Sequence, residues 1–140
     1  MGLTIKGLAE IRERLARVRA EDIMARALAE QAQRMAQAVQ DALSDTPGSG
    51  QHDRPWLQSG ALRASVASQA DGLQAVVGSS DPAAAPQEMG TSRMEARPFL
   101  APVAARMGEE VARAVGSTLA DALRDGTDPQ TGATRNAPPA

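Results

Sequence analysis

Leu62-Arg63-Ala64-Ser65-Val66-Ala67-Ser68-Gln69-Ala70-Asp71-Gly72-Leu73-Gln74-Ala75-Val76-Val77-Gly78 decides the fold class of this chain. At its start Leu62, Ala64, Val66 and Ser68 alternate with Arg63, Ser65 and Ala67. Successive strand residues point to opposite faces, so this period predicts a half-buried strand, with Arg63 facing away from the core. Ala75, Val76 and Val77 supply a second strand. Asp71-Gly72 between them is a hairpin signal, because glycine admits the positive φ of tight turns. Ser79-Ser80-Asp81-Pro82 ends the second strand, and 83–89 reads as either a short helical turn or an edge strand.

Helical periods flank this sheet. Between Gly7 and Leu43 there is no proline and no further glycine, and Leu8, Ile11, Leu15 and Val18 recur at helical intervals. Ala25, Leu28, Ala32, Met35, Val39 and Ala42 carry the stripe onward, while Glu10-Arg14, Glu13-Arg17 and Glu30-Arg34 set acid four residues before base. One helix over 3–45 is predicted, with a bend near Glu21-Asp22. At ~1.5 Å per residue it runs on the order of 50 to 60 Å, longer than a small domain is wide. Asp45-Thr46-Pro47-Gly48 stops it, and 46–58 reads as a loop containing His52 and Trp56.

On the other side of the sheet, Val103, Met107, Val111, Ala114, Thr118 and Ala122 mark the apolar face of a helix over 102–125, opened by Pro102. Gly108 and Gly116 lower its propensity by up to ~1 kcal/mol each, which predicts close helix packing at those positions. From 126 to 140 Gly, Pro, Thr and Asn predict a flexible polar tail. The architecture read from the chain is α+β in a single domain. A long N-terminal helix precedes a small antiparallel sheet (59–101, with the motif loop), and the C-terminal helix packs on that sheet.

Composition narrows the function. Fifteen Lys+Arg and seventeen Asp+Glu give a net charge of -2, so no global field recruits nucleic acid or an anionic membrane. Absence of cysteine removes disulfides and thiolate chemistry. No apolar run approaches the ~20 residues needed to span a bilayer. His52 has no partner at a ligand spacing, so neither metal nor cofactor is expected. Ser59, Ser65 and His52 form no nucleophile elbow or ordered triad, so no catalytic residue is assigned. One Phe, one Trp and no Tyr leave burial to aliphatic side chains and many alanines, a modest reserve that favours contacts with other subunits.

Glu88-Met89-Gly90-Thr91-Ser92-Arg93-Met94-Glu95-Ala96-Arg97-Pro98-Phe99-Leu100 breaks the alanine-rich pattern with constrained backbone, paired charges and the sole phenylalanine. Together with three other pieces it carries a resemblance. Ser59-Gly60-Ala61-Leu62-Arg63-Ala64-Ser65-Val66, Ala75-Val76-Val77-Gly78-Ser79, Glu88-Met89-Gly90-Thr91 and Ala96-Arg97-Pro98-Phe99-Leu100-Ala101-Pro102 occur in the order found in a family of bacteriophage tail-component proteins, which the chain resembles. That family is named after the gene-ten product of a lambdoid coliphage and acts in head-to-tail joining or tail completion. Met89 stands where the family usually has an aromatic residue; methionine can fill an irregular apolar gap there.

The resemblance implies a virion protein of the phage neck or upper tail, assembled in the host cytoplasm. Its subunits would form a homo-oligomeric ring, hexameric in the family, against head-completion, tail-terminator or tail-tube proteins. DNA would pass through the lumen without sequence-specific binding, and no membrane is involved. A tail terminator or tail-assembly factor is the alternative, followed by a small DNA-binding regulatory module using the arginines of the first helix. Interface candidates are Arg63, Glu88, Arg93, Arg97 and Trp56. Arg93 and Arg97 suit pairing with a neighbour's carboxylate, an ordinary intrachain or solvated state, or contact with channel DNA. Glu88 is either a solvated or capping residue or half of a subunit salt bridge. Trp56 is either packed locally or anchors an adjoining layer, and Arg63 is either solvated or in contact with an adjacent ring. Met89, Gly90, Thr91, Pro98, Phe99 and Leu100 are read as anchors of the motif loop, with Phe99 and Leu100 in the core or plugging a neighbour.

Overall fold

The computed structural model describes residues 7–17, 20–47 and 53–125. The predicted helix start at 3–6, positions 18–19, the loop centre 48–52 with His52, and the tail 126–140 lie outside the described residues.

The first helical region comprises α1 (Leu8–Arg17) and α2 (Ala20–Ala42). Glu21 and Asp22 fall in the first turn of α2, where carboxylates complement the helix dipole. The helix ends at Ala42 rather than at 45. There the Leu43 N–H is shared between the carbonyls of Val39 and Gln40, both at 3.2 Å, and the Ser44 hydroxyl donates to Gln40 O at 3.0 Å. These bonds satisfy carbonyls that the helix itself leaves open. Ile23, Ala27, Gln31, Ala32, Ala36 and Val39 are its buried positions, and the small alanines let other elements approach closely.

Leu62 and Arg63 do not belong to a strand. Gly60, at φ +80°, turns the chain into a helical turn, α3 (Ala61–Ala64), and β1 begins only at Val66 (Val66–Asp71). Alternation of Leu62, Ala64 and Val66 thus spans a helix-to-strand change, and i,i+2 spacing over so few residues does not distinguish the two. Beyond Val66 the reading holds. β1 pairs antiparallel with β2 (Gln74–Ser79) in the register Val66↔Ser79 to Asp71↔Gln74. Because Asp71 pairs with Gln74, the loop is Gly72-Leu73 rather than Asp71-Gly72. Gly72 takes φ +54° and no non-glycine residue among the described ones has positive φ, which matches a turn left-handed only at its first loop position. Of the two readings for 83–89, the helical one holds: α4 spans Ala84–Met89, and α5 follows at Ala101–Asp125.

The core gathers Ala36 and Val39 from the end of α2, Leu43 just beyond it, Val66 from β1, Ala84 from α4, and Phe99 and Val103 around the start of α5. Phe99 and Val39 are its largest fully buried side chains. Each such apolar group contributes ~1.5 to 3 kcal/mol on burial. The architecture is therefore α+β, with one departure from expectation. α5 packs principally against α2, and α2 also carries the sheet. Two strands have one face to offer the core, and α2 already occupies it. Close packing does not explain Gly108 or Gly116, since a Cβ built at either meets nothing within 4 Å.

A candidate interface at the 88–100 loop

Two polar ties hold the ground on which this loop stands. Gln40 Nε2 donates to Val66 O at 3.0 Å, and Arg63 Nε donates to Gln40 O and Ser44 Oγ, each at 3.1 Å. Arg63 thus closes the C-terminal end of α2, where a cation is favoured by the helix dipole. The expected outward-facing strand arginine is corrected: α3 swings the side chain back onto α2. A second tie joins the two halves of the serine motifs. Asp81 N–H donates to Ser79 Oγ (3.1 Å), Ser79 and Ser65 hydroxyls meet at 2.6 Å, and Ser65 donates to Leu62 O at 2.7 Å. Ser65 has one proton, given to Leu62, so Ser79 is the donor in the middle bond.

From there α4 delivers Glu88. Its Oε2 accepts the backbone N–H groups of Phe99 (2.8 Å) and Leu100 (2.9 Å), and Oε1 accepts that of Ala101 (2.8 Å). One carboxylate therefore caps the N-terminus of α5, which has otherwise unpaired N–H donors and a positive dipole end. Partial burial pushes this carboxyl up. The N–H bonds from Leu100, Phe99 and Ala101 together outweigh that effect and hold it below its ordinary value. Of the two readings of Glu88, capping is the one found. A capping box joins residues three apart, and no such local signal links Glu88 to Ala101.

Between the carboxylate and the donors it binds, the chain makes a closed loop. Gly90 has φ 74° and ψ 177°, a region essentially reserved for glycine. A Cβ there would lie 2.8 Å from Ala96 N and 3.0 Å from Met94 O. Glycine is required by both backbone and space. Thr91 N–H donates to Met94 O at 2.8 Å, Met94 N–H returns to Thr91 O at 3.4 Å, and Thr91 Oγ1 accepts Arg93 N–H at 3.2 Å. Arg97 N–H then donates to Gln87 O at 2.7 Å, and half-buried Pro98 leads into Phe99.

Phe99 is 1% exposed and Leu100 packs half-buried against the core, so both anchor the loop to the chain's own core. Met89 fills no gap: it is 75% exposed, because it is the last residue of α4 on the side turned from Ala84 and the core. Arg93 is exposed and Arg97 half-buried, and neither makes an ion pair with any described residue. Trp56 is half-buried beside buried Pro55, in a segment returned to the stretch just after α2 by Leu57 N–H to Asp45 O (2.6 Å) and an Arg54–Asp45 ion pair at 2.9 Å. It lies apart from the 88–100 loop in sequence and joins the α2 end through these ties.

Comparison with protein-family models, with curated proteins and with solved structures finds no match. Among the described residues no cluster of His, Cys, Asp or Glu could hold a metal ion. No helix among them is long and apolar enough to cross a membrane. What the geometry offers is a stiff loop in which Glu88, Gly90, Thr91, Phe99 and Leu100 hold the fold, while Met89, Ser92, Arg93, Glu95 and Ala96 are exposed.

Proposed function

We propose that this chain is a noncatalytic structural subunit of the neck or upper tail of a long-tailed phage or a prophage-derived relative. Copies join in a ring, hexameric as the resemblance implies, between head-completion proteins and tail-terminator or tail-tube proteins. DNA passes through the lumen without sequence-specific contact. The observation that supports this reading most is the construction of the 88–100 loop. A triple N–H cap on Glu88 and an obligatory Gly90 stiffen it, yet it exposes Met89 and Arg93. Rigid loops lose little entropy on binding, and an arginine beside an apolar group suits a protein interface.

Reconstructed density of assembled particles tests the reading. A ring of this chain at the head-to-tail junction, with Arg93 against a neighbouring protein, is expected. A chain found nowhere at the junction, and monomeric both alone and with neck proteins, would overturn it.

A further inference from the structure

Among the described residues, α1 leaves an apolar stripe open and the α2–hairpin–α5 side leaves an apolar groove open. On α1, Leu8 and Ile11 are 64% and 55% exposed, on one face at three-residue spacing. Elsewhere Met24 and Leu28 of α2, Leu73 of the hairpin turn, and Gly108, Val111, Ala112 and Val115 of α5 line an open groove of about 280 Å³. All seven lining residues are apolar. Leu73 occupies a turn position where polar residues are usual, and it forms one wall. Gly108 leaves open space where a side chain would stand.

We infer that α1 of one copy docks in the α2–hairpin–α5 groove of a second copy, with Leu8 and Ile11 as its anchors. The groove is smaller than the ~300 to 1,000 Å³ of pockets that enclose drug-sized ligands. Its open apolar form suits an amphipathic helix read at i and i+3. One charge pair supports this occupant. Arg12 borders the α1 stripe, four residues after Leu8, and is exposed with no ion-pair partner among the described residues. Glu21 lies three residues before Met24 and seven before Leu28, on the groove side of α2, and is equally exposed and unpaired among the described residues. The helix that carries the matching apolar stripe also carries the matching cation. Because the joined surfaces differ, the contact is head-to-tail, the type that closes rings or grows filaments. This deepens the ring reading, on which it rests, by naming surfaces that join its subunits.

Lack of native cysteine makes the test direct. Chains carrying only Ile11→Cys are mixed with chains carrying only Ala112→Cys and oxidised mildly, and the products are mapped by peptide mass spectrometry. A mixed disulfide joining position 11 of one chain to position 112 of the other, in excess of both homodimers, is expected. Arg12→Glu in the first chain should cut its yield about fivefold or more, and Glu21→Arg in the second should restore it. No mixed product, or a bridge that forms only within a doubly substituted single chain, overturns the inference. Rings at the neck without the mixed disulfide would sink the docking alone. The disulfide in a chain found nowhere on the particle would sink the ring reading alone.

Discussion

Replacing Glu88 removes the side chain that caps the start of α5, and the cost follows from what it bonds. Three N–H groups, of Phe99, Leu100 and Ala101, lose a charged acceptor in Glu88→Ala. Loss of an ordinary N-cap costs ~0.5 to 2 kcal/mol, and a hydrogen bond to a charged group is worth ~1.5 to 3 kcal/mol. Water reaches part of this site and replaces some of what is lost. The expected total is about 2 to 3 kcal/mol, or roughly 6 to 12 °C in Tm for a chain of this size. Phe99 makes the consequence larger than a frayed end, because its N–H is one of the three and its ring is in the core. Glu88→Gln keeps acceptor oxygen but loses charge and should cost about 1 kcal/mol.

The pH dependence separates this cap from a simple packing effect. The folded carboxyl titrates below its ordinary 4.5, so its contribution is fully present above that value. It is lost as pH falls through the lower folded value. Urea denaturation of wild type and Glu88→Gln between neutral and strongly acidic pH should show their stability difference shrinking in acid. A difference of under about 0.5 kcal/mol at neutral pH, or one that persists unchanged in acid, would refute the argument.

Gly90→Ala combines a forbidden backbone region with a Cβ 2.8 Å from Ala96 N, and should destabilise by about 3 kcal/mol or more in denaturant titration. Phe99→Ala empties the centre of the core and should cost ~3 to 5 kcal/mol, read by the same titration. Arg63→Ala uncouples α3 from the end of α2. A loss of about 1 to 2 kcal/mol is expected, whereas a solvated arginine would give less than about 0.5. Arg93→Glu should leave monomer stability within about 0.5 kcal/mol while impairing incorporation into particles, scored by density at the head-to-tail junction.

What the chain discloses before folding depends on how local each cause is. β1 and β2 are legible because inward Val66, Ser68 and Val77 recur with the strand period, and their turn contains a glycine. α5 is legible from an apolar stripe beginning at Pro102, and Phe99 as a core anchor from its being the only phenylalanine. α3 is not, since four residues of helix carry barely one turn of period and Leu62 and Ala64 fit either element. Nor is the partner of α5, because its stripe states that a face is buried and not against what. The same limit acts on the charged motif residues. Arg63 and Glu88 stand out in sequence, as interface residues do, but each is spent on a helix end distant along the chain.

That result changes which residues can carry assembly. A side chain already holding a helix terminus cannot turn outward without giving up those bonds, about 1 to 3 kcal/mol for Glu88→Gln or Glu88→Ala. An interface gains nothing by taking it unless it returns as much. Met89, Arg93 and the α1 stripe carry no such obligation. The motif loop thus divides its work: Glu88, Gly90 and Phe99 make it stiff, and the exposed residues between them are free to meet another surface. Loosening the first group should weaken assembly only through disorder of the loop, and a substitution in the second should weaken it with the fold intact. Comparing Glu88→Gln with Arg93→Glu at equal fractions folded distinguishes these routes. Equal assembly defects at matched folded fractions would show that the division is wrong.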